Sequence, residues 1–132
     1  MAGVIPEEKA DLLTRPVLAH TATVDRNGNP QNNPVWIDWD GEFLRFSQVP
    51  GRQKYANLNE RGGVAFSLVD PENPYRYLEI RGRLERVEQD PDKAFINKMA
   101  KKYMGVDVYP WSTPEEQRVI MVIRPEKVTQ MG

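Results

Sequence analysis

The sequence predicts a mostly β, single-domain protein: a small antiparallel barrel of about six strands with short helices at its rim. Three observations carry this expectation. Runs that alternate apolar and polar residues recur at 17–25, 30–40, 42–48, 64–70, 76–88 and 118–130. Asn27-Gly28 and Asp40-Gly41 separate the first three runs at hairpin spacing. Helical patterns are few and short, and no internal repeat, linker or low-complexity tract interrupts residues 1–132.

PEEKADLL opens with Pro6 and acidic residues and ends on Leu12 and Leu13, the pattern of a short amphipathic helix that Pro16 stops. VLAHTATVD is β-branched and small and reads as a strand. In PQNNPVWIDWD, Val35, Ile37 and Trp39 alternate with Trp36 and Asp38; in EFLRFSQ, Leu44 and Phe46 share one face. Joined by tight turns, these segments predict a three-stranded meander. A loop at 49–52 leads to a helix over 53–61, closed by Gly62-Gly63. VAFSLVD is apolar enough for a central strand, and PENPY reads as a loop.

RYLEIRGRLERVE points Leu78, Ile80, Leu84 and Val87 inward, and Tyr77, Glu79, Arg81, Arg83 and Glu85 outward. Gly82 falls where an inward side chain is due, which predicts a bulge or a close backbone approach. Asp90-Pro91 predicts a helix start. Phe95, Ile96, Met99, Ala100 and Tyr103 then form an apolar stripe, with Lys98, Lys101 and Lys102 facing mostly outward and Gly105 at the end. VDVYPWSTPEEQ is a polar loop, and RVIMVIRPEKVTQ is the last strand.

Composition narrows the function classes. The chain has no cysteine, which removes disulfides, thiolate catalysis and Cys-rich metal sites and suits a reducing, cytoplasmic setting. MAGVIPEEKADLL lacks the form of a signal peptide, and no apolar run approaches the ~20 residues of a membrane span. A net charge of -1 gives no support to nucleic-acid or membrane-surface binding. Nucleotide-binding glycine motifs and the G-x-S-x-G elbow are missing. His20 is the single histidine, and Asp38 and Asp40 read as solvated turn carboxylates, so no metal site is expected. An enzyme built this way relies on a cofactor for its chemistry.

One stretch stands out: VPGRQKYANL, 49–58. Arg52 and Lys54 sit between a strand and a helix, where free backbone N–H groups can join them around an anion. Pro50-Gly51 lets the backbone come close, and Ser47 and Gln48 precede it with hydrogen-bonding groups. Arg offers a planar fork and Lys a compact charge, both suited to phosphate. The neighbouring QNNPVWI mixes amides with flat apolar surface, a combination that suits a planar heterocycle with polar edges or, alternatively, an edge strand.

The order LAHTATVDRNGNPQNNPVWIDWDGEFLRFS, GRQKYANL, NPYRYLEIRGRLE and YPW resembles the split β-barrel flavin and deazaflavin oxidoreductases, the superfamily of pyridoxamine phosphate oxidase, over nearly the whole chain. It looks most like the short branch that uses coenzyme F420, a deazaflavin with a phosphate and an oligoglutamate tail. The resemblance implies that Arg52 and Lys54 clamp the cofactor phosphate. It implies that Asn33, Val35 and Trp36 lie along the ring system, and that Ser47, Gln48 and Val49 bracket the ribityl chain and phosphate. Asn57, Tyr77 and Trp111 complete the implied cofactor set, Tyr77 near a subunit interface and Trp111 as a cover. A homodimer is implied, as is hydride transfer to an activated double bond of a quinone-, enone- or tetrapyrrole-like small molecule. No catalytic side chain is assigned.

Two alternatives within the resemblance remain: FMN as the cofactor of an oxidase or reductase, and a non-catalytic deazaflavin carrier. A plain interaction domain with solvated Arg52 and Lys54 is the third.

Overall fold

A computed structural model describes residues 4–132; the first three residues of the N-terminal stretch judged not to be a signal peptide lie outside it. The chain runs through a 3-10 turn (Glu7–Lys9) and α1 (Asp11–Thr14), then β1 (Ala19–Val24), β2 (Pro30–Val35), β3 (Asp38–Trp39), β4 (Leu44–Gln48) and α2 (Gln53–Arg61). β5 (Gly63–Asp70), β6 (Asn73–Gln89), α3 (Ala94–Met104) and β7 (Val119–Met131) complete it. The single N-terminal helix expected over 6–13 is thus two separate turns.

The strands form one antiparallel sheet in the order β2-β1-β5-β6-β7-β4-β3. The two edge strands, β2 and β3, follow each other in the chain with only Trp36 and Ile37 between them. Laid flat, seven strands would separate those edges by about 29 Å. The backbone from Val35 to Asp38 spans at most about 11 Å. The sheet therefore curls into a split β-barrel.

This is also where the expected meander fails. The segment 30–40 is not one strand: β2 pairs with β1, whereas β3 pairs with β4, so the chain changes sheet edge at Trp36-Ile37. The count becomes seven strands rather than six. The expected PENPY loop shrinks to the Pro71-Glu72 turn, with Asp70 pairing Asn73.

The main core fills the barrel and includes Leu12, Leu13, Ile37, Leu44, Phe46, Phe66, Leu78, Ile80 and Met121, with Leu84 and Val87 packed at its margin. A second core lies on the other face of β7, where Ile120 and Val122 meet Phe95, Ile96 and Met99 of α3. The unbroken apolar run Val119–Ile123 follows: alternate residues serve two cores. Gly82 does mark a close approach. A Cβ there would lie 2.5 Å from the Arg124 carbonyl oxygen, at a register shift beside Arg81.

α3 starts later than Asp90-Pro91 suggested. The buried Asp90 carboxylate accepts from the backbone N–H groups of Phe95 (3.1 Å) and Ile96 (3.2 Å), capping a helix whose first residue is Ala94. Pro91 falls in the turn before it. Lys102 does not face outward. Its ammonium donates to the carbonyls of Leu13 and Ile37, each at 2.6 Å. Asp38 is not a solvated turn residue either: it is buried, with Arg45 at 2.6 Å and Lys98 at 3.4 Å. Among the described residues no helix is long and apolar enough to cross a membrane.

Candidate functional site

The R-x-K motif lies where β4 hands over to α2. Gly51 takes φ +100°, a conformation costly for other residues, and the Arg52 N–H closes the turn onto the Val49 carbonyl at 3.2 Å. Arg52 is the extended N-cap of α2, and no side chain caps the helix. The first-turn N–H groups are left open, so the motif faces an anion-competent helix end.

Lys54, the second residue of α2, is only 3% exposed. Its ammonium donates to the Asn33 side-chain oxygen on β2. Among the described residues no carboxylate lies within ion-pair range of Lys54 or Arg52. Burial, and then the Arg52 charge, push Lys54 below the usual lysine range. A buried cation without a counter-ion is unfavourable in isolation, and a bound anion would relieve it.

Asn57 lies deeper on α2 and is 1% exposed. Its Nδ2 donates to Thr23 Oγ1 (2.9 Å) and its Oδ1 accepts from Gln53 (2.6 Å), so it ties α2 to β1. The Gln48 Oε1 accepts from the Val49 N–H at 3.1 Å, fixing the end of β4.

A second group surrounds a cavity of about 280 Å³ lined by Val35, Trp36, Ser47, Met99, Tyr109 and Arg118 among others. The turn of the chain at Trp36-Ile37 delivers Trp36 here. Its ring stacks on Tyr103 (centroids 5.3 Å, 11° between planes) and meets Tyr109 edge-on at 5.8 Å. The Tyr103 hydroxyl donates to the Val17 carbonyl (2.7 Å) and accepts from the Ile37 N–H (3.0 Å), so the residue that stacks on Trp36 also pins the bend. Burial raises the Tyr103 hydroxyl to about 12. Burial lowers Lys102 to about 8, although Asp38 favours its charged form.

Of the residues named from the sequence, Asn33, Arg52, Lys54 and Asn57 gather around the start of α2, with Gln48 and Val49 leading into it. Val35, Trp36 and Ser47 share the cavity. Trp111 is 63% exposed and touches Tyr109 edge-on at 5.6 Å, at the rim. Tyr77 lies elsewhere, on β6 between Val69 of β5 and Met131 of β7. Arg118 was missed. An isolated arginine at the start of a strand carries no sequence signal, and only the pairing of β4 with β7 brings it to Ser47.

A curled antiparallel sheet with a basic helix start at one end and an aromatic cavity on its outer face is a split β-barrel oxidoreductase scaffold. The chain belongs to the pyridoxamine 5'-phosphate oxidase family, whose pattern matches residues 5–132. It is 45% identical to a structure described as an F420 reductase, covering 95% of this chain and 98% of that one, with a TM-score of 0.87. It shares the fold of HupZ from Group A Streptococcus (21% identity, 96% and 93% covered, TM-score 0.64). It also shares that of General Stress Protein 26 from Bacillus anthracis (18% identity, 95% and 92% covered, TM-score 0.71). No curated protein matches it.

Proposed function

We propose that the protein is a coenzyme F420-dependent oxidoreductase that reduces an activated double bond in a small quinone-, enone- or tetrapyrrole-like molecule. The observation that carries this is the buried, carboxylate-free Lys54 beside Arg52 at an uncapped helix start, a donor set that fits a phosphate. The 45% identity to an F420 reductase favours the deazaflavin over FMN. When bound, F420 supplies a hydride at its C5 carbon.

The chain's own residues do the rest. Arg52, Lys54 and the open N–H groups of α2 hold the phosphate. Asn33, fixed by Lys54, and Val35 give the ring system a wall with a polar edge, and Trp36 at the bend parts that wall from the aromatic cavity, which is left to the substrate. Ser47, Gln48 and Val49 line the approach between the two groups, and Trp111 covers the rim through Tyr109. Orientation and exclusion of water then suffice, without a nucleophile.

The proposal includes a homodimer. Val69, Tyr77 and Met131 are register neighbours on three adjacent strands, and Val69 and Met131 are 40% and 51% exposed. Such a stripe is apolar surface that a second subunit would cover. Separate titrations with F420 and FMN, followed by tryptophan fluorescence, test the reading. Micromolar or tighter F420 binding with much weaker FMN binding is expected; preference for FMN, or binding of neither, would overturn it.

A further inference from the structure

Arg118 is a buried guanidinium that the phosphate clamp does not use. It is 9% exposed and is the single charged residue lining the 280 Å³ cavity. Its Nη1 donates to Ser47 Oγ at 3.0 Å and its Nε to Glu116 at 2.8 Å, and Tyr109 lies against its face with the ring centroid 4.8 Å away. These contacts hold the plane of the group from three sides. Among the described residues Nη2 has no hydrogen-bond partner. Five N–H donors sit on a guanidinium, and two nitrogens are engaged, so a donor edge is left for whatever occupies the cavity.

The Glu116 partner decides the chemistry of that occupant. It offsets much of the Arg118 charge at long range, so a ligand gains chiefly from short hydrogen bonds to the free donor edge, and an oxygen that stays neutral gains least. A neutral oxygen that becomes negative during reaction gains more, because donors fixed in place stabilise charge as it develops. The cavity walls, Trp36 and Tyr109 with Ile96 and Met99, suit a flat, largely apolar body. At about 280 Å³ the space fits a small molecule.

We infer that Arg118 is the oxyanion-stabilising residue for an α,β-unsaturated carbonyl substrate. This rests on the hydride-transfer reading above. In the step, the β-carbon of the substrate accepts hydride from the reduced cofactor. The C=C π pair becomes the new bond between the α-carbon and the carbonyl carbon, the C=O π pair moves onto the oxygen, where Arg118 meets it, and the enolate re-forms its carbonyl as the α-carbon takes a proton from solvent. Ser47 and Glu116 position the guanidinium.

The test uses 4-nitrophenol, a flat molecule whose oxygen becomes anionic and whose absorbance reports ionisation. It is titrated against the full-length protein, with and without F420. The bound phenol is expected to ionise at a pH lower by about one unit than in solution. Phenolate affinity is expected to fall about tenfold to a hundredfold in Arg118→Met, and less in Arg118→Lys, which keeps the charge but loses the fork. Ser47→Ala, which frees Nη1 while sparing the charge, should give a smaller loss. No ionisation shift in the wild type, no binding, or equal phenolate affinity in Arg118→Met and wild type would overturn the assignment. So would loss of F420 binding in Arg118→Met with circular dichroism unchanged, since Arg118 would then serve the cofactor. Absence of F420 binding in the wild type with the phenolate shift intact would sink the cofactor reading and leave the oxyanion site standing.

Discussion

Replacing Lys54 with methionine separates a binding role from a structural one. Lys54 is 3% exposed, and its one hydrogen-bond partner, Asn33, is itself at the surface. Methionine keeps most of the side-chain volume and removes the charge. Without ligand, two effects oppose each other. A desolvated cation disappears, which is favourable, and Asn33 loses a donor that water can replace, so the hydrogen-bond loss stays near about 1 kcal/mol. The unliganded variant should therefore be as stable as the wild type, or more stable. With a phosphate-bearing cofactor the balance reverses, because a charge-assisted bond to a buried ammonium contributes about 1.5–3 kcal/mol, or roughly tenfold to a hundredfold in affinity. Arg52 is exposed, so Arg52→Ala should cost less, under about 1 kcal/mol. The assay pairs thermal melts with F420 titrations at several salt concentrations. Wild-type affinity should weaken with salt more steeply than that of Lys54→Met. Destabilisation by more than about 2 kcal/mol with unchanged F420 affinity would refute the reasoning and make Lys54 a strut for β2.

Three further substitutions test the framework. Gly82→Ala should destabilise by about 3 kcal/mol or more in denaturant melts, because its Cβ would meet the Arg124 carbonyl at 2.5 Å and backbone has to move. Tyr103→Phe removes a hydroxyl bonded to Val17 and Ile37 and should cost about 1–2 kcal/mol while altering Trp36 emission; an unchanged spectrum would detach Tyr103 from the placement of Trp36. Lys102 titrates near 8 in the folded chain against 10.5 for a free lysine, so the unfolded state binds more protons between those values. Its contribution is fully present above 10.5 and is lost as pH falls through about 8; stability should rise across that window in the wild type, and the rise should flatten in Lys102→Met.

Local signals carried most of the elements. Asn27-Gly28 and Asp40-Gly41 are turns in the structure, both glycines have positive φ, and the helix over 53–61 ends on Gly62 in the left-handed region. Those features depend on neighbours in sequence. What the sequence hid depends on distant partners. Nothing in VWIDWD announces that β2 and β3 lie on opposite edges, since alternation continues through the bend. Lys102 looks like its exposed neighbours Lys98 and Lys101, and only the carbonyls of Leu13 and Ile37 draw it inward. The Arg52-Lys54 pair was legible as an anion motif, but the burial of one and exposure of the other came from the packing of α2 on β1. Arg118 had no local signal at all.

The bend at Trp36-Ile37 links the fold to the site. Closing the curl requires the chain to pass between sheet edges within two residues, and that passage leaves Ile37 in the main core while Trp36 turns out toward α3. Three groups hold the bend: the Tyr103 hydroxyl on the Ile37 N–H, the Lys102 ammonium on the Ile37 carbonyl, and the Trp36–Tyr103 stack. All belong to consecutive residues of α3 or to the bend itself. Both backbone polar groups of Ile37 are thereby satisfied by α3 rather than by a strand, which is why the ladder can stop there without an orphaned donor or acceptor. The same helix supplies Ile96 and Met99 to the cavity wall. α3 thus fixes the closure of the barrel and the position of Trp36 together, and a change that loosens one should loosen the other.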